Sequence, residues 1–220
     1  MQFNSYIDHT LLKATATSAE IAKLCEEADQ HSFFSVCVNG SYVGLAHSLL
    51  KDSNTKVCCV VGFPLGAMST KVKIFEAQTA IEEGADEIDM VINIGWLKSG
   101  QHAAVFDEIR AIKEAIGTNV LKVILETGYL SEKEIGEAAS LAVRAKADFV
   151  KTSTGFGPRG ASFEDVRIMK EAIDGSAQIK ASGGIRDAEA AKKYIEMGVT
   201  RLGTSSGIAL VKGQATKEDY

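Results

Sequence analysis

Short runs of β-branched and other apolar residues alternate along the chain with longer amphipathic segments. The runs lack the strict apolar–polar alternation of a half-exposed strand, which is typical of parallel strands covered on both faces. Strict alternation of strand and helix favours a parallel sheet, either open or closed into a barrel. Seven clear runs and a shorter first one give eight predicted strands, at residues 7–12, 34–39, 56–63, 87–93, 120–127, 149–154, 178–183 and 201–206.

The segments between these runs carry recognisable helix starts. Ser131 followed by Glu134 has the spacing of a capping box, in which the hydroxyl and the carboxylate accept hydrogen bonds from free backbone amides. Ser18, Ser162 and Asp187 stand at the beginning of other amphipathic segments. The sequence therefore predicts helices that separate successive strands.

Length and continuity indicate a single domain. The chain has 220 residues, which is enough for one closed barrel, and no linker-like segment interrupts the alternation. No GxGxxG pattern follows the first strand, which argues against an open dinucleotide-binding sheet. We therefore predict an α/β protein in which residues 1–220 form one (β/α)8 TIM barrel.

Charge and cysteine usage narrow the function classes. The formal net charge of −5 comes without a basic run, so nucleic acid and an anionic membrane are not expected partners. No apolar run approaches the roughly 20 residues that span a bilayer, and the first residues do not resemble a signal peptide. Cys25, Cys37, Cys58 and Cys59 form no CxxC pair. We predict a reduced, cytoplasmic protein.

Three lysines recur at the same interval within predicted strands. Lys122, Lys151 and Lys180 are spaced 29 residues apart, one in each of three consecutive β/α units. A lysine in an apolar strand is costly to bury unless it is paired with an opposite charge or serves a function. Burial or a second cation can make such an amine a nucleophile, and strand ends of a barrel face its site. A purely structural ion pair is the alternative, and the pattern alone does not choose between Lys151 and Lys180.

An acidic residue lies within the fourth apolar run. Asp89 is flanked by apolar residues in EIDMVIN and should not be buried without a partner. Pointing inward, it could pair with Lys180 and relay protons through water. The alternative is a salt bridge that only fixes the barrel interior.

Two glycine-containing turns follow the last two strands. SGGIR covers residues 182–186 and GTSSG covers residues 203–207. Glycine lets backbone amides approach an anion closely, and barrels commonly bind phosphate in the last two β/α turns. The alternative is two tight turns that require glycine for backbone reasons alone.

The histidines do not suggest a metal site. His9, His31, His47 and His102 lack the spacing of metal-binding motifs, and only His9 stands near a predicted strand end. We predict no metal and no cofactor.

Taken together, the motifs resemble the deoxyribose-phosphate aldolase family of class I, Schiff-base-forming enzymes. The matching stretches run in family order across nearly the whole chain: IDHT (7–10), SVCVN (35–39), GFPLGA (62–67), DMVINIG (89–95), KVILETG (122–128), FVKTSTGFG (149–157), KASGGIR (180–186) and the terminal Tyr220. Ala14 is a small departure, since relatives often have proline at that position.

The resemblance implies a role for each matching residue. Lys151 would form the Schiff base, Lys180 and Asp89 would relay protons, and Tyr220 would assist. Lys122 receives no catalytic role and is left as structural. The remaining residues divide into two groups. The substrate phosphate would be held by Ser182, Gly183, Gly184, Arg186, Gly203 and Ser205, and the pocket would be lined by Asp8, Thr10, Cys37 and Thr154.

The implied reaction is reversible cleavage of 2-deoxy-D-ribose 5-phosphate to D-glyceraldehyde 3-phosphate and acetaldehyde. A phosphorylated sugar and acetaldehyde are therefore the expected small-molecule partners, and a homodimer is compatible with the fold. Two alternatives stay open: another lysine-imine barrel aldolase, of transaldolase or keto-acid type, and a non-catalytic barrel that binds phosphosugars.

Overall fold

Eight parallel strands close into a barrel in the order in which they occur along the chain, with β8 hydrogen-bonded to β1. This computed structural model describes residues 3–214. The predicted (β/α)8 barrel is confirmed. The strands are β1 (Ile7–Leu11), β2 (Ser35–Val38), β3 (Lys56–Val61), β4 (Glu87–Val91), β5 (Val120–Ile124), β6 (Phe149–Lys151), β7 (Gln178–Ser182) and β8 (Arg201–Thr204).

Helices surround the barrel, and three begin with the capping box, at Thr17, Ser131 and Ser162. The first cap is Thr17 rather than Ser18, because the Thr17 hydroxyl accepts from the amide of Glu20. Within residues 3–214, no helix has both the length and the apolar character that crossing a bilayer requires. The helices are α1 (Ser18–Gln30), α2 (Val43–Leu50), α3 (Thr70–Glu82), α4 (Ile94–Lys98), α5 (His102–Ile116), α6 (Glu132–Arg144), α7 (Phe163–Ile173), α8 (Ala188–Glu196) and α9 (Gly207–Val211).

Apolar side chains fill the layer between barrel and helices, but only part of the barrel interior. The outer cluster takes alternate strand residues such as Ile88, Met90 and Val123. A small inner cluster consists of Leu12, Cys37, Cys58 and Val60 and is confined to the side of the first three strands. Because strand residues alternate between the two faces, the buried charges of β4 to β8 point into the remaining interior.

A buried ion pair that the sequence analysis did not anticipate joins α3 to α5. Lys73 Nζ lies 2.8 Å from Glu108 Oε2 and donates to the carbonyl oxygen of Val91 at 2.8 Å. Both side chains are fully buried, and burial lowers the pKa of Lys73 and raises that of Glu108. The pair therefore balances two desolvated charges between helices and the end of β4.

We expect Lys73→Met to lower the free energy of unfolding by about 3–5 kcal/mol, because it leaves the Glu108 charge buried without its partner. The double variant Lys73→Met/Glu108→Met should recover much of this loss, since it removes both charges. Urea unfolding measures both, with Lys71→Met on the exposed face of α3 as the control. A double variant as unstable as the sum of the two single variants would contradict this account.

Candidate active site

The carboxylate of Asp89 lies at the centre of the barrel and contacts three lysines. Its Oδ1 accepts from Lys122 Nζ at 2.8 Å, and its Oδ2 accepts from Lys151 Nζ and Lys180 Nζ, each at 2.8 Å. The Cys58 thiol donates to Oδ1 at 3.1 Å. The predicted ion pair of Asp89 with Lys180 is present. The strand register explains the cluster, because Asp89 is paired with Lys122 across β4 and β5, and Lys151 with Lys180 across β6 and β7.

The surroundings of Asp89 hold it in its ionised form. Burial alone would raise the pKa of this fully buried carboxyl. The positive charges of Lys122 and Lys180 oppose that effect, and the pKa lies well below its ordinary value. The site therefore contains an ionised carboxylate in contact with Lys122, Lys151 and Lys180.

A second layer of ion pairs lies below Asp89. Lys122 Nζ lies 2.6 Å from Glu87 Oε2, and Arg201 Nη1 lies 3.0 Å from the same oxygen. Arg201 Nη1 also donates to Asp8 Oδ1 at 2.8 Å, and Lys180 Nζ contacts the other oxygen of Asp8. The guanidinium carbon of Arg201 stands 3.4 Å above the ring centre of Phe34, which closes this layer from beneath.

Counting charges in the two layers separates Lys151 from the other lysines. The three carboxylates of Asp8, Glu87 and Asp89 are matched by three cations without it, namely Lys122, Lys180 and Arg201. Of the three lysines that contact Asp89, Lys151 also has the greatest solvent exposure, 2% against 0% for Lys122 and Lys180. Of the three amines, Lys151 is the one best placed to meet a molecule that enters the barrel.

Two thiols adjoin the same carboxylate and form the group best suited to hold a metal ion. One ligand atom each from Cys37, Cys58 and Asp89 lies within 4.8 Å of the others. The interaction with the neighbouring Cys58 thiol lowers the pKa of Cys37, whereas burial raises the pKa of Cys58. Both oxygens of Asp89 accept from lysines, so a bound cation would have to displace or face those positive charges.

The two glycine turns meet at the carboxyl end of the barrel. A Cβ on Gly203 would lie 2.2 Å from Ser182 Oγ, so the side chain of Ser182 occupies the space that glycine leaves. That hydroxyl is fully buried and has no hydrogen-bond partner within residues 3–214. Gly183 and Gly184 have φ of 83° and 74°, the left-handed region that favours glycine. Thr204 Oγ1 donates to the carbonyl of Ile185 at 3.2 Å and links the turns.

The other residues predicted to line the pocket lie at different depths in the barrel. Thr10 and Ser205 line a cavity between β1, α1 and α9, together with His9. Arg186 is exposed beside the first glycine turn, and Thr154 follows β6. Cys37 lies beside Cys58 in the inner apolar cluster. Asp8 lies deeper, where its carboxylate contacts Lys180 and Arg201. Tyr220 lies outside the described residues.

Part of this site was not predicted from the sequence. Lys122 was expected to be only structural, yet its amine contacts Asp89 directly. Glu87 and Arg201 were not among the predicted site residues. A signal was available for both, because each is a charged residue at the start of an apolar strand, two residues before an inward-facing position.

Comparison with known proteins gives a consistent result. The family model described as DeoC/LacD family aldolase matches residues 4–215. The chain is 54% identical to the deoxyribose-phosphate aldolase of Bdellovibrio bacteriovorus over 220 residues, which cover all of both chains. It is 57% identical to that of Carboxydothermus hydrogenoformans over 218 residues, covering 97% of this chain and 96% of the relative. The tetrameric deoxyribose phosphate aldolase of Aeropyrum pernix superposes with a TM-score of 0.87 at 33% identity, covering 96% of this chain and 89% of that one.

The ion pairs of Asp8 predict how stability depends on pH. Lys180 and Arg201 hold its pKa below the ordinary value of 3.8 despite the opposing effect of burial. The pKa of Asp8 is lower in the folded than in the unfolded chain, so its ionised carboxylate stabilises the fold. This stabilisation is complete above about pH 4 and is lost as the pH falls towards the pKa of Asp8 in the folded chain. Asp8→Asn should therefore remove about 1.4 kcal/mol per pH unit from the slope of unfolding free energy below roughly pH 3.5.

Urea unfolding at a series of acidic pH values measures this slope. Asp52→Asn is the control, because the side chain of Asp52 is 90% exposed. Equal slopes in the wild type and in Asp8→Asn would show that these ion pairs do not stabilise the ionised carboxylate.

Proposed function

Because this chain belongs to the DeoC/LacD family of aldolases, we propose that it cleaves 2-deoxy-D-ribose 5-phosphate through an imine on Lys151. The products are D-glyceraldehyde 3-phosphate and acetaldehyde, and the reaction is reversible. The observation that carries the proposal is the position of the Lys151 amine, 2.8 Å from a buried, ionised Asp89 whose charge is already matched by Lys122 and Lys180.

The charge balance supports Lys151 as the nucleophile. Addition to a carbonyl needs the free electron pair of a neutral amine. Since three cations already balance the three carboxylates, the site does not require a positive charge on Lys151. A neutral amine can donate a hydrogen bond to Asp89 Oδ2 and point its electron pair towards an incoming aldehyde.

Imine formation prepares the substrate for cleavage. The Lys151 amine adds to the C1 aldehyde of the open-chain sugar, and the resulting carbinolamine loses water to give an iminium. Asp89, assisted by Lys180 through a water molecule, takes the proton from the C3 hydroxyl. The C2–C3 bond then breaks, its electrons form an enamine on Lys151, and glyceraldehyde 3-phosphate leaves. Protonation of the enamine carbon and hydrolysis release acetaldehyde and the free amine.

The glycine turns after β7 and β8 suit the phosphate of this substrate. Gly184 has open space where a side chain would stand, so an anion can approach its backbone amide closely, whereas Gly183 and Gly203 are packed against neighbouring residues. Ser205 and Arg186 flank the two turns and complete the proposed phosphate site. Binding the phosphate away from C2 and C3 would orient the reacting carbons relative to Lys151, which lowers the entropic part of the barrier.

Two further parts of the proposal concern Tyr220 and the compartment. Tyr220 assists proton transfer to the enamine, a role that follows from the family resemblance alone. The cytoplasm suits the protein because Cys25, Cys37, Cys58 and Cys59 are all free and buried, as in a reducing compartment.

Borohydride trapping tests the nucleophile. Reduction in the presence of acetaldehyde should attach a two-carbon group to Lys151, detectable by peptide mass spectrometry. Lys151→Met should abolish both the adduct and turnover, a loss of at least about 10³-fold, because no other amine reaches the carbonyl. Lys98→Met, on the exposed end of α4, is the control.

The outcome also separates the alternatives. An adduct on Lys180 would move the imine to a different strand and favour another type of lysine-imine aldolase. No adduct on any lysine, together with binding of the phosphosugar, would indicate a non-catalytic barrel.

We propose further that two copies of the chain associate through α3. The side chains of Val72 and Phe75 are 53% and 72% exposed on this helix, and Phe63 and Met68 line the same groove. Exposed apolar patches of this kind are typical of interfaces between proteins. The tetrameric relative from Aeropyrum pernix supports self-association as a property compatible with this barrel.

Light scattering in solution tests the interface. Phe75→Asp should shift the dimer mass to the monomer mass, because it places a charge in the apolar contact. Leu49→Asp makes the same change at an exposed residue that does not line the groove and should leave the mass unaltered. A monomeric wild-type protein would overturn the proposal.

A further inference from the structure

A buried glutamate with an unusual backbone conformation follows β5. Glu126 has φ of 56° and ψ of 61°, the left-handed region that side chains other than glycine seldom adopt. It is 2% exposed, and burial raises its pKa. Neither the backbone conformation nor the buried carboxyl is favourable in isolation. Such outliers persist where the surrounding structure fixes them, and they concentrate at functional sites.

The carboxylate of Glu126 is directed at the segment that follows Lys151. The amide of Thr154 donates to both of its oxygens at 3.3 Å, and the Thr154 hydroxyl donates to Oε2. Thr154 Oγ1 in turn accepts from the amide of Phe156 at 2.9 Å. A Cβ on Gly157 would lie 2.8 Å from the carboxyl carbon, so the chain passes directly against it. One side chain therefore fixes the start of the loop between β6 and α7.

The far end of the same loop lies against the first glycine turn. A Cβ on Gly160 would lie 2.2 Å from the carbonyl oxygen of Gly183, so the two backbones are in contact. The amide of Ala161 lies 3.1 Å from the carbonyl oxygens of both Ser182 and Gly183. Displacing the loop would therefore displace the turn.

Between these ends, the loop is held to the residues that follow Glu126. Arg159 donates to the carbonyl of Thr127 at 3.1 Å and pairs with Asp165 at the start of α7. The loop is therefore held by contacts along its length, from the carboxylate of Glu126 to the turn at Ser182 and Gly183.

We propose that Glu126 is a positioning residue for phosphate recognition, because its carboxylate sets the loop that supports the Ser182–Gly183 turn. This inference rests on the proposed function, in which that turn receives the substrate phosphate. Glu126 does not itself contact the substrate. It acts on the part of binding that depends on the phosphate, and the chemistry at Lys151 proceeds without it.

The test compares two substrates, 2-deoxyribose 5-phosphate and unphosphorylated 2-deoxyribose, in two variants. Glu126→Gln keeps the shape but has one acceptor oxygen instead of two. Glu126→Gly removes the side chain and suits the left-handed backbone, so the fold is retained. The preference for the phosphorylated substrate, as a ratio of kcat/KM values, should fall about tenfold in Glu126→Gly and less in Glu126→Gln. The loss should appear mainly as a higher KM for the phosphorylated sugar.

Controls distinguish this inference from the function on which it rests. Glu132→Gln, at an exposed position on α6, should leave the ratio unchanged. Borohydride trapping with acetaldehyde should label Lys151 in both Glu126 variants as in the wild type. If the wild type gives no adduct, the proposed function fails. If the wild type is labelled but the ratio is unaltered in both variants, or activity on both substrates falls equally, Glu126 does not position the phosphate site.

Discussion

The ionised carboxylate of Asp89 is the interaction on which the barrel interior depends. A charge at the centre of a barrel loses its hydration and is stable there only with close opposite charges. Lys122 and Lys180 supply them, and Lys151 donates a hydrogen bond to the same carboxylate. The strands β5, β6 and β7 therefore each direct an amine to the same two oxygen atoms. Removing the carboxylate would leave mutually repelling amines in a space with little water.

The barrel interior has an apolar side and a charged side. One side, from β1 to β3, is filled by the apolar cluster of Leu12, Cys37, Cys58 and Val60. The other side, from β4 to β8 and back to β1, is filled by ion pairs that connect across the barrel. A polar network of this kind is rigid when its members are satisfied, which suits a site that must hold one amine in place. The low polarity of the apolar side strengthens the electrostatic contacts next to it.

Much of the fold and the centre of the site could be predicted from the sequence. Alternating strand and helix patterns are local, so all eight strands were located, although every predicted run continues past the observed end of its strand, furthest in β5 and β6. Asp89 and the lysines stood out because they interrupt apolar runs. The pairing of Arg201 with Glu87 and Asp8 was not accessible, because it depends on closure of the barrel between β8 and β1. No local pattern marked Lys73 as buried, and Glu126 fell within the predicted strand run 120–127, although it lies beyond the end of β5. The role of each residue depends on partners that are distant along the chain.

The ion-pair layer beneath Asp89 determines from which end of the barrel reactants can reach the site. Arg201, Glu87 and Phe34 close the amino-terminal end of the barrel below Lys151. Reactants must therefore enter and depart through the opening at the opposite rim. In the proposed reaction, the two-carbon fragment would stay attached to Lys151, and the phosphorylated fragment would lie towards the glycine turns at the open rim. The three-carbon product would then depart first and acetaldehyde second, because the two-carbon fragment is released only when the bond to Lys151 is hydrolysed.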